Sequence, residues 1–199
     1  MTQTLSRRGL LGIAAARALP ADPRTEFAFP VVDFHAHITA APTLERLFAI
    51  ANARGVRFGV VEHAGDARQH RYRGILANDS DLNAYVEKLK PWACYKGIQA
   101  EGLDWVRCFS RQALARLDYV LTDALTIVDS DGSLVRLWTP AAAKFKDKQD
   151  FMERYTTFHL KVMEAGPAHI LANPLFLPDR PCGWGWCRRY LPQVVPGHS

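Results

Sequence analysis

Short segments rich in apolar and β-branched residues alternate along the chain with amphipathic segments of helical period. The five strands that this pattern predicts are, in chain order, "FPVVDFHAHI", "VRFGVVEHA", "ACYKGIQAEG", "DYVLTDALTIV" and "HILANPLFL". The predicted helices are "TLERLFAIANARG", Ser80 to Leu89, "SRQALARL" and Asp147 to Glu164, with a hairpin-like turn at "DSDGS". Gly55 is the expected stop of the first helix, and Asp79 or Ser80 the expected N-cap of the second. Strands that alternate with helices are typical of parallel βαβ units, so the sequence predicts an α/β fold.

Polar side chains interrupt the carboxyl-terminal part of every predicted strand. Asp33, His35 and His37 occupy alternate positions of the first strand, which predicts that they share one face. The later strands add, in chain order, Glu62, His63, Gln99, Glu101, Asp123 and Asn173. Parallel strands of a barrel end at one rim, where active sites are built, so we expect these side chains to converge.

These residue types favour a metal site. Neutral imidazoles and carboxylates suit divalent zinc, manganese or iron. A site with an open coordination position lowers the pKa of bound water to about 7 and so supplies hydroxide at neutral pH. Hydrolysis of a phosphoester or an amide is the chemistry that this donor set indicates.

The motifs "DFHAHI", "VVEHA" and "GIQAEG" together resemble the strand-end motifs of the PHP (polymerase and histidinol phosphatase) superfamily. The resemblance spans Val31 to Pro178 and implies a distorted (β/α)7 barrel that hydrolyses phosphoesters with up to three metal ions. Position by position, it implies that His35 and His37 are the first-strand ligands and His63 the second-strand ligand.

The chain departs from the family pattern at three strand ends. Gln99 stands where the family most often has a glutamate, and Glu101, two residues on, is expected on the same face. Asp123 lies near the position of the fourth-strand histidine, and Asn173 replaces a later histidine. Fewer than three metals are therefore expected. The predicted ligands are His35, His37, His63, Glu101 and Asp123, with Asp123 and His63 also expected to be catalytic.

The barrel is expected to be incomplete, a TIM-like barrel of the PHP type with about five βα units over residues 20–178. The segment 179–199 contains Trp, Cys, Arg, Gly and Pro without helical or strand periodicity. We interpret this segment as an aberrant tail on a truncated barrel, and the alternative is an irregular C-terminal loop.

The formal charge of +5 is concentrated at the two ends of the chain. Residues 1–18 hold three arginines and no acid, and residues 179–199 hold three arginines and one acid. Between them, 19 Lys and Arg balance 19 Asp and Glu, which leaves no basic stripe for a phosphate backbone. We therefore expect no nucleic-acid partner and a small, anionic substrate instead.

Residues 1–19 resemble a twin-arginine export signal, with Arg7 and Arg8 before a short apolar run. The run is too short to anchor the chain in a membrane, and export would place the protein in the periplasm or outside the cell. An amphipathic N-terminal helix is the alternative, and the protein would then be cytoplasmic. The four cysteines form no CxxC pair, so they indicate no zinc finger.

Two further histidines have less specific contexts. His70 lies in the loop "ARQHRYR", whose arginines could contact an anionic substrate, but the favoured interpretation is a solvated loop. His159 lies within a predicted helix, where a partly buried structural residue is the favoured interpretation.

The first functional hypothesis is therefore a PHP-type, metal-dependent hydrolase, in particular a phosphoesterase. A truncated barrel without catalytic activity is the second. An amidohydrolase-like enzyme acting on a C–N or lactone bond is the third, because amidohydrolases share the His-x-His element.

Overall fold

The computed structural model describes residues 29–38, 43–174 and 176–178. Its strands are β1 (Val31–Ala36), β2 (Val56–Val60), β3 (His63–Ala64), β4 (Tyr95–Ala100), β5 (Tyr119–Thr122), β6 (Thr126–Val128), β7 (Leu134–Arg136) and β8 (Ile170–Leu171). Its α-helices are α1 (Leu44–Arg54), α2 (Asp79–Leu89), α3 (Arg111–Leu114) and α4 (Lys148–Glu164). Two 3-10 helices, Trp105–Cys108 and Pro140–Lys144, complete the secondary structure of the described residues.

A parallel sheet in the order β1-β2-β4-β5-β8 forms the centre of the fold. Each strand pairs in parallel with the next, and β3 continues alongside β4 where β2 ends. The sheet is curled into a half-barrel. The predicted α/β alternation and the predicted partial barrel are confirmed at this level.

Local capping explains where the first two helices begin and end. The Thr43 side chain accepts a hydrogen bond from the Arg46 amide, and Gly55 ends α1 in the left-handed region at φ 62°. The predicted stop at Gly55 is thus confirmed. At α2, however, the N-cap is Asn78, whose side chain accepts from the Asp81 amide, rather than the predicted Asp79 or Ser80.

The predicted fourth strand is wrong as a single element. Only Tyr119–Thr122 pairs in the main sheet, and Thr126–Val128 instead pairs antiparallel with β7. Asp123 explains the break, because its carboxylate accepts a hydrogen bond from the Leu125 amide and turns the chain out of the sheet. The predicted hairpin turn is confirmed, with Gly132 at φ +80°.

The fifth strand is also shorter than predicted. Only Ile170 and Leu171 pair with β5, and Asn173 follows in the left-handed region at φ 51°. Asparagine tolerates this conformation better than most residues do. The turn at Asn173 therefore ends the strand within "HILANPLFL".

One aromatic side chain spans the concave face of the half-barrel. The Tyr119 ring lies against Gly97 and Gly59, where an added Cβ would approach its atoms to 2.3 Å and 2.4 Å, respectively. Its hydroxyl donates to the carbonyl of Phe34, 2.8 Å away. The two glycines are thus required because a tyrosine from β5 reaches across β4 and β2 to β1.

The described residues form two large buried clusters. One packs the helices against the sheet and includes Val60, Ile98 and Val120. The other joins α4 to the β6–β7 hairpin and includes Phe151 and Ile127. Full burial of such a side chain contributes about 1.5–3 kcal/mol, so the second cluster attaches the hairpin firmly to α4.

Two sequence predictions fall outside the described residues. They are the export signal in residues 1–19 and the tail of residues 179–199, which includes two of the four cysteines. Of the other two cysteines, Cys94 is buried, Cys108 is half-buried, and both are free thiols. Within the described residues, no helix has the length and apolar character needed to cross a membrane.

His159 is a fully buried residue of α4, which agrees with its predicted structural role. Its Nδ1–H donates to the Tyr155 carbonyl at 2.8 Å, and its Nε2 is buried without a hydrogen-bond partner among the described residues. Burial lowers its pKa below the ordinary 6.5, so the folded protein holds this imidazole neutral.

We expect His159→Phe to weaken the pH dependence of stability. As the pH falls below about 6.5, the unfolded chain takes up a proton at His159 before the folded chain does. The free energy of unfolding therefore decreases as the pH is lowered. Urea unfolding of both proteins at several pH values from neutral downwards measures this difference. Parallel pH profiles for the two proteins would contradict the assignment.

Candidate functional site

Two histidines from the end of β1 converge on one amide oxygen. Nε2 of His35 and Nε2 of His37 each lie 2.9 Å from Oε1 of Gln99 on β4. The amide nitrogen of Gln99 donates to Oδ2 of Asp123, after β5, also at 2.9 Å. Because an amide oxygen only accepts, both imidazoles present Nε2–H to it. Gln99 therefore links the ends of three strands.

Glu62 fixes the chain where it leaves β1. Its Oε1 accepts the Ile38 amide at 2.8 Å, and its Oε2 lies 3.7 Å from Nδ1 of His37. Burial opposes a charge on His37, but the carboxylate of Glu62, with Gln99 and Glu101, outweighs it and raises the pKa of His37. His37 is therefore more readily protonated than an ordinary histidine.

His63 and Glu101 form the second part of the site. Nδ1 of His63 lies 2.7 Å from Oε1 of Glu101, a carboxylate that is 4% exposed. The His63 ring is stacked between two others, with centroids 4.7 Å from His37 and 3.8 Å from Tyr72. The stack joins this pair to the His35, His37 and Gln99 group.

Asp123 is a site carboxyl whose pKa the fold shifts strongly. Its Oδ1 accepts the Leu125 amide at 3.1 Å, while Oδ2 accepts from Gln99. Burial, followed by the negative charge of Glu101, raises the pKa of Asp123 to about 6. The carboxyl groups of Glu62, Glu101 and Asp123 thus share one edge of the sheet.

All five predicted site residues lie at this edge. The structure brings His35 and His37 together through Gln99, His63 beside Glu101, and Asp123 beside Gln99. Glu101 thus lies near the other predicted ligands, as expected for a residue two positions after Gln99 in the same strand. Its role as a ligand stays a prediction.

Asp33 does not share the face of His35 and His37, and that part of the sequence prediction is wrong. Asp33 pairs in register with Phe58 of the helix-side cluster, and a register shift follows between Asp33 and Ala36. Its side chain is exposed and accepts the His35 amide at 2.9 Å. A register shift in β1 therefore interrupts the alternation on which the prediction depended.

His70 is buried rather than solvated, so the favoured sequence interpretation is wrong for this residue. Its side chain is 4% exposed, and Nδ1 lies 3.7 Å from Oε2 of Glu101. Burial lowers its pKa although Glu101 opposes this effect. The neighbouring arginines Arg68, Arg71 and Arg73 are exposed, as expected for a solvated loop.

Tyr72 and Arg136 belong to the site and were missed by sequence reasoning. The Tyr72 ring lies parallel to His63 within 8°, and the Arg136 guanidinium lies 5.0 Å from the Tyr72 ring centroid. Burial, then the charge of Glu101, raises the pKa of Tyr72 to about 12. No local pattern could reveal Arg136, because the β6–β7 hairpin brings it over a loop more than sixty residues earlier.

The donor types at this edge fit a divalent cation, since imidazole and carboxylate are its common protein ligands. The contacts given above satisfy most of these side chains, but Nδ1 of His37 is buried without a hydrogen-bond partner among the described residues, 3.7 Å from Glu62. Within the described ranges, no group of three or more His, Cys, Asp or Glu side chains is arranged to hold a metal ion.

Comparison with known proteins adds no relative. The chain matches no family model, and no curated protein or solved structure matches it significantly.

Replacing Gln99 with leucine is expected to destabilise the fold. The substitution leaves the half-buried donors of His35 and His37 and the Asp123 carboxyl without their shared partner, which costs about 1–3 kcal/mol. Urea unfolding in the presence of a chelator measures the loss. Gln112→Leu, the same change at an exposed position of α3, is the control and should shift stability by less than about 0.5 kcal/mol. Equal effects of the two substitutions would argue against a central role for Gln99.

Proposed function

We propose that this chain is a metal-dependent hydrolase of the PHP type, acting as a phosphoesterase. Three observations support the proposal: the strand-end motifs resemble that superfamily, the sheet forms a half-barrel, and polar side chains gather at one edge of the sheet. The expected substrate is a small anionic molecule, and the expected cofactor is zinc, manganese or iron.

The convergence at Gln99 is the observation that carries the proposal. Two imidazoles from the end of β1 and a carboxyl group that follows β5 meet at one side chain of β4. Each of these contacts measures 2.9 Å. A second imidazole and carboxylate pair, His63 and Glu101, lies directly beside them. Burying so many titratable groups together costs stability, which favours a functional reason for their placement.

Each residue has a role in this proposal. His35, His37, His63, Glu101 and Asp123 would hold the metal, which when bound would lower the pKa of a water molecule to near 7. Gln99 orients the first two imidazoles, and Glu101 fixes the ring of His63 through its 2.7 Å contact. Asp123 would be a ligand or the general base, and His63, whose charge acts on Asp123, would also be catalytic.

A non-catalytic barrel fragment is the second candidate, and one observation favours it. Metal coordination uses a lone pair of a neutral imidazole, at Nε2 or Nδ1. Gln99 engages both His35 and His37 as Nε2–H donors, so only their Nδ1 atoms are left for a cation. A glutamine at this position stabilises the cluster without any cation. Metal content therefore separates the two candidates.

Elemental mass spectrometry of the purified chain is the first test. We expect about one or more equivalents of metal in the wild type and a loss of most of it in the His35→Ala/His37→Ala double variant. His169→Gln is the control, because this histidine lies at the opposite end of the sheet, where Nδ1 accepts the Val120 amide. A folded wild type without metal, even after reconstitution, would support the non-catalytic fragment.

Substrate assays follow on the metal-loaded protein. Hydrolysis of a phosphomonoester that is lost in the double variant would support the phosphoesterase. Hydrolysis of an amide or lactone in its place would assign the chain to the amidohydrolase-like alternative.

Replacing Gln99 with glutamate is expected to strengthen metal binding. The new carboxylate would lie between His35 and His37 and face Asp123, so a cation would relieve the repulsion and gain a charged ligand. We expect the metal dissociation constant to fall by about tenfold, measured by competition with a chelating dye. Gln112→Glu is the matched surface control. Unchanged or weaker binding in Gln99→Glu would place the metal elsewhere.

A further inference from the structure

A cleft of about 430 Å³ lies between the loop after β3 and the β6–β7 hairpin. We call it the arginine cleft, because Arg71 from the loop and Arg136 from the hairpin line it, together with Gln69, Thr126 and Thr139. Two segments that are distant in sequence therefore contribute one guanidinium each to the same cavity.

Neither guanidinium is neutralised by a carboxylate within the described residues. Asp66 pairs with Arg68 and Asp129 with Lys144, and the buried carboxylate of Glu101 faces His63 and His70. Arg136 instead lies over the Tyr72 ring. Within the described residues, neither arginine of the cleft forms an ion pair, so the cleft is lined by positive charge.

The cleft also contains a buried hydroxyl. Thr126 is 8% exposed, and its Oγ1 is buried without a partner in full hydrogen-bond geometry among the described residues. It interacts with the phenol of Tyr72 but retains hydrogen-bonding capacity. Leaving a buried hydroxyl unsatisfied is costly, so a polar ligand in the cleft would stabilise it.

A single aromatic ring separates the cleft from the strand-end cluster. Tyr72 contacts Arg136 on one side, at 5.0 Å, and stacks on His63 on the other, at 3.8 Å. His70 also lines the cleft while its Nδ1 faces Glu101. The cleft and the strand-end cluster therefore lie on opposite faces of one ring.

We propose that the arginine cleft binds an oxyanion group of the substrate, a phosphate or a carboxylate, beside the hydrolytic site. Arg71 and Arg136 donate charge-assisted hydrogen bonds to it, and the Thr126 hydroxyl adds a third donor. The inference rests on the proposed function only for the statement that the anion belongs to the substrate. Anion binding itself is independent of metal.

Isothermal titration of the full chain with inorganic phosphate, and separately with acetate, tests the proposal. The variants are Arg71→Gln, Arg136→Gln and Thr126→Val, and the control is Arg73→Gln on the same loop, an exposed arginine outside the cleft. We expect each arginine variant to weaken binding by about tenfold or more, Thr126→Val by several-fold, and Arg73→Gln by less than about twofold. The anion that binds more tightly identifies the oxyanion.

The titration is repeated with chelator and in the His35→Ala/His37→Ala variant. Binding that persists in both and still depends on Arg71 and Arg136 supports the cleft, whether or not the chain proves to be a hydrolase. Binding that disappears in both would place the anion on the metal and overturn the inference. Absence of saturable binding, or an equal loss in Arg73→Gln, would overturn it as well.

Discussion

The in-register parallel pairing of β2, β3, β4 and β5 is the constraint on which the rest of the structure depends. His63 pairs with Gln99, and Gln99 in turn pairs with Leu121, two residues before Asp123. Parallel strands carry their C-terminal residues to one edge, so groups that are sixty residues apart become neighbours. A shift of one residue in this register would turn these side chains to the helix-packed face.

Gln99 is the structural centre of that edge because its amide is both an acceptor and a donor. The oxygen receives two imidazoles and the nitrogen reaches a carboxyl group, so one amide supplies a partner to three half-buried groups. Nδ1 of His37 is buried without a hydrogen-bond partner among the described residues. A glutamate in this place would leave charge for a cation to balance, so this one position largely decides between a metal centre and a structural network.

The segment between β5 and β8 leaves the sheet, and its hairpin lies over the loop after β3. Asp123 turns the backbone outward, and the β6–β7 hairpin then packs on α4 through Ile127 and Phe151. This packing brings Arg136 over Tyr72 and closes the arginine cleft against the loop after β3. The polar strand-end site and the arginine cleft therefore depend on two separate hydrophobic cores, one between the sheet and its helices and one between the hairpin and α4.

Local sequence determined much of this architecture. Apolar periodicity predicted α1 and its stop at Gly55, and the positions of His35, His63, Glu101 and Asp123 at strand ends predicted one shared edge. Tertiary structure decided what no local pattern encodes. A register shift in β1 removed Asp33 from the site, and a hairpin replaced the end of the fourth strand. His70 is buried against Glu101, and Arg136 lies over the ring of Tyr72 on a distant loop. Periodicity reports which face of an element is buried, whereas partners across the fold are selected by long-range packing and by the need to satisfy buried polar groups.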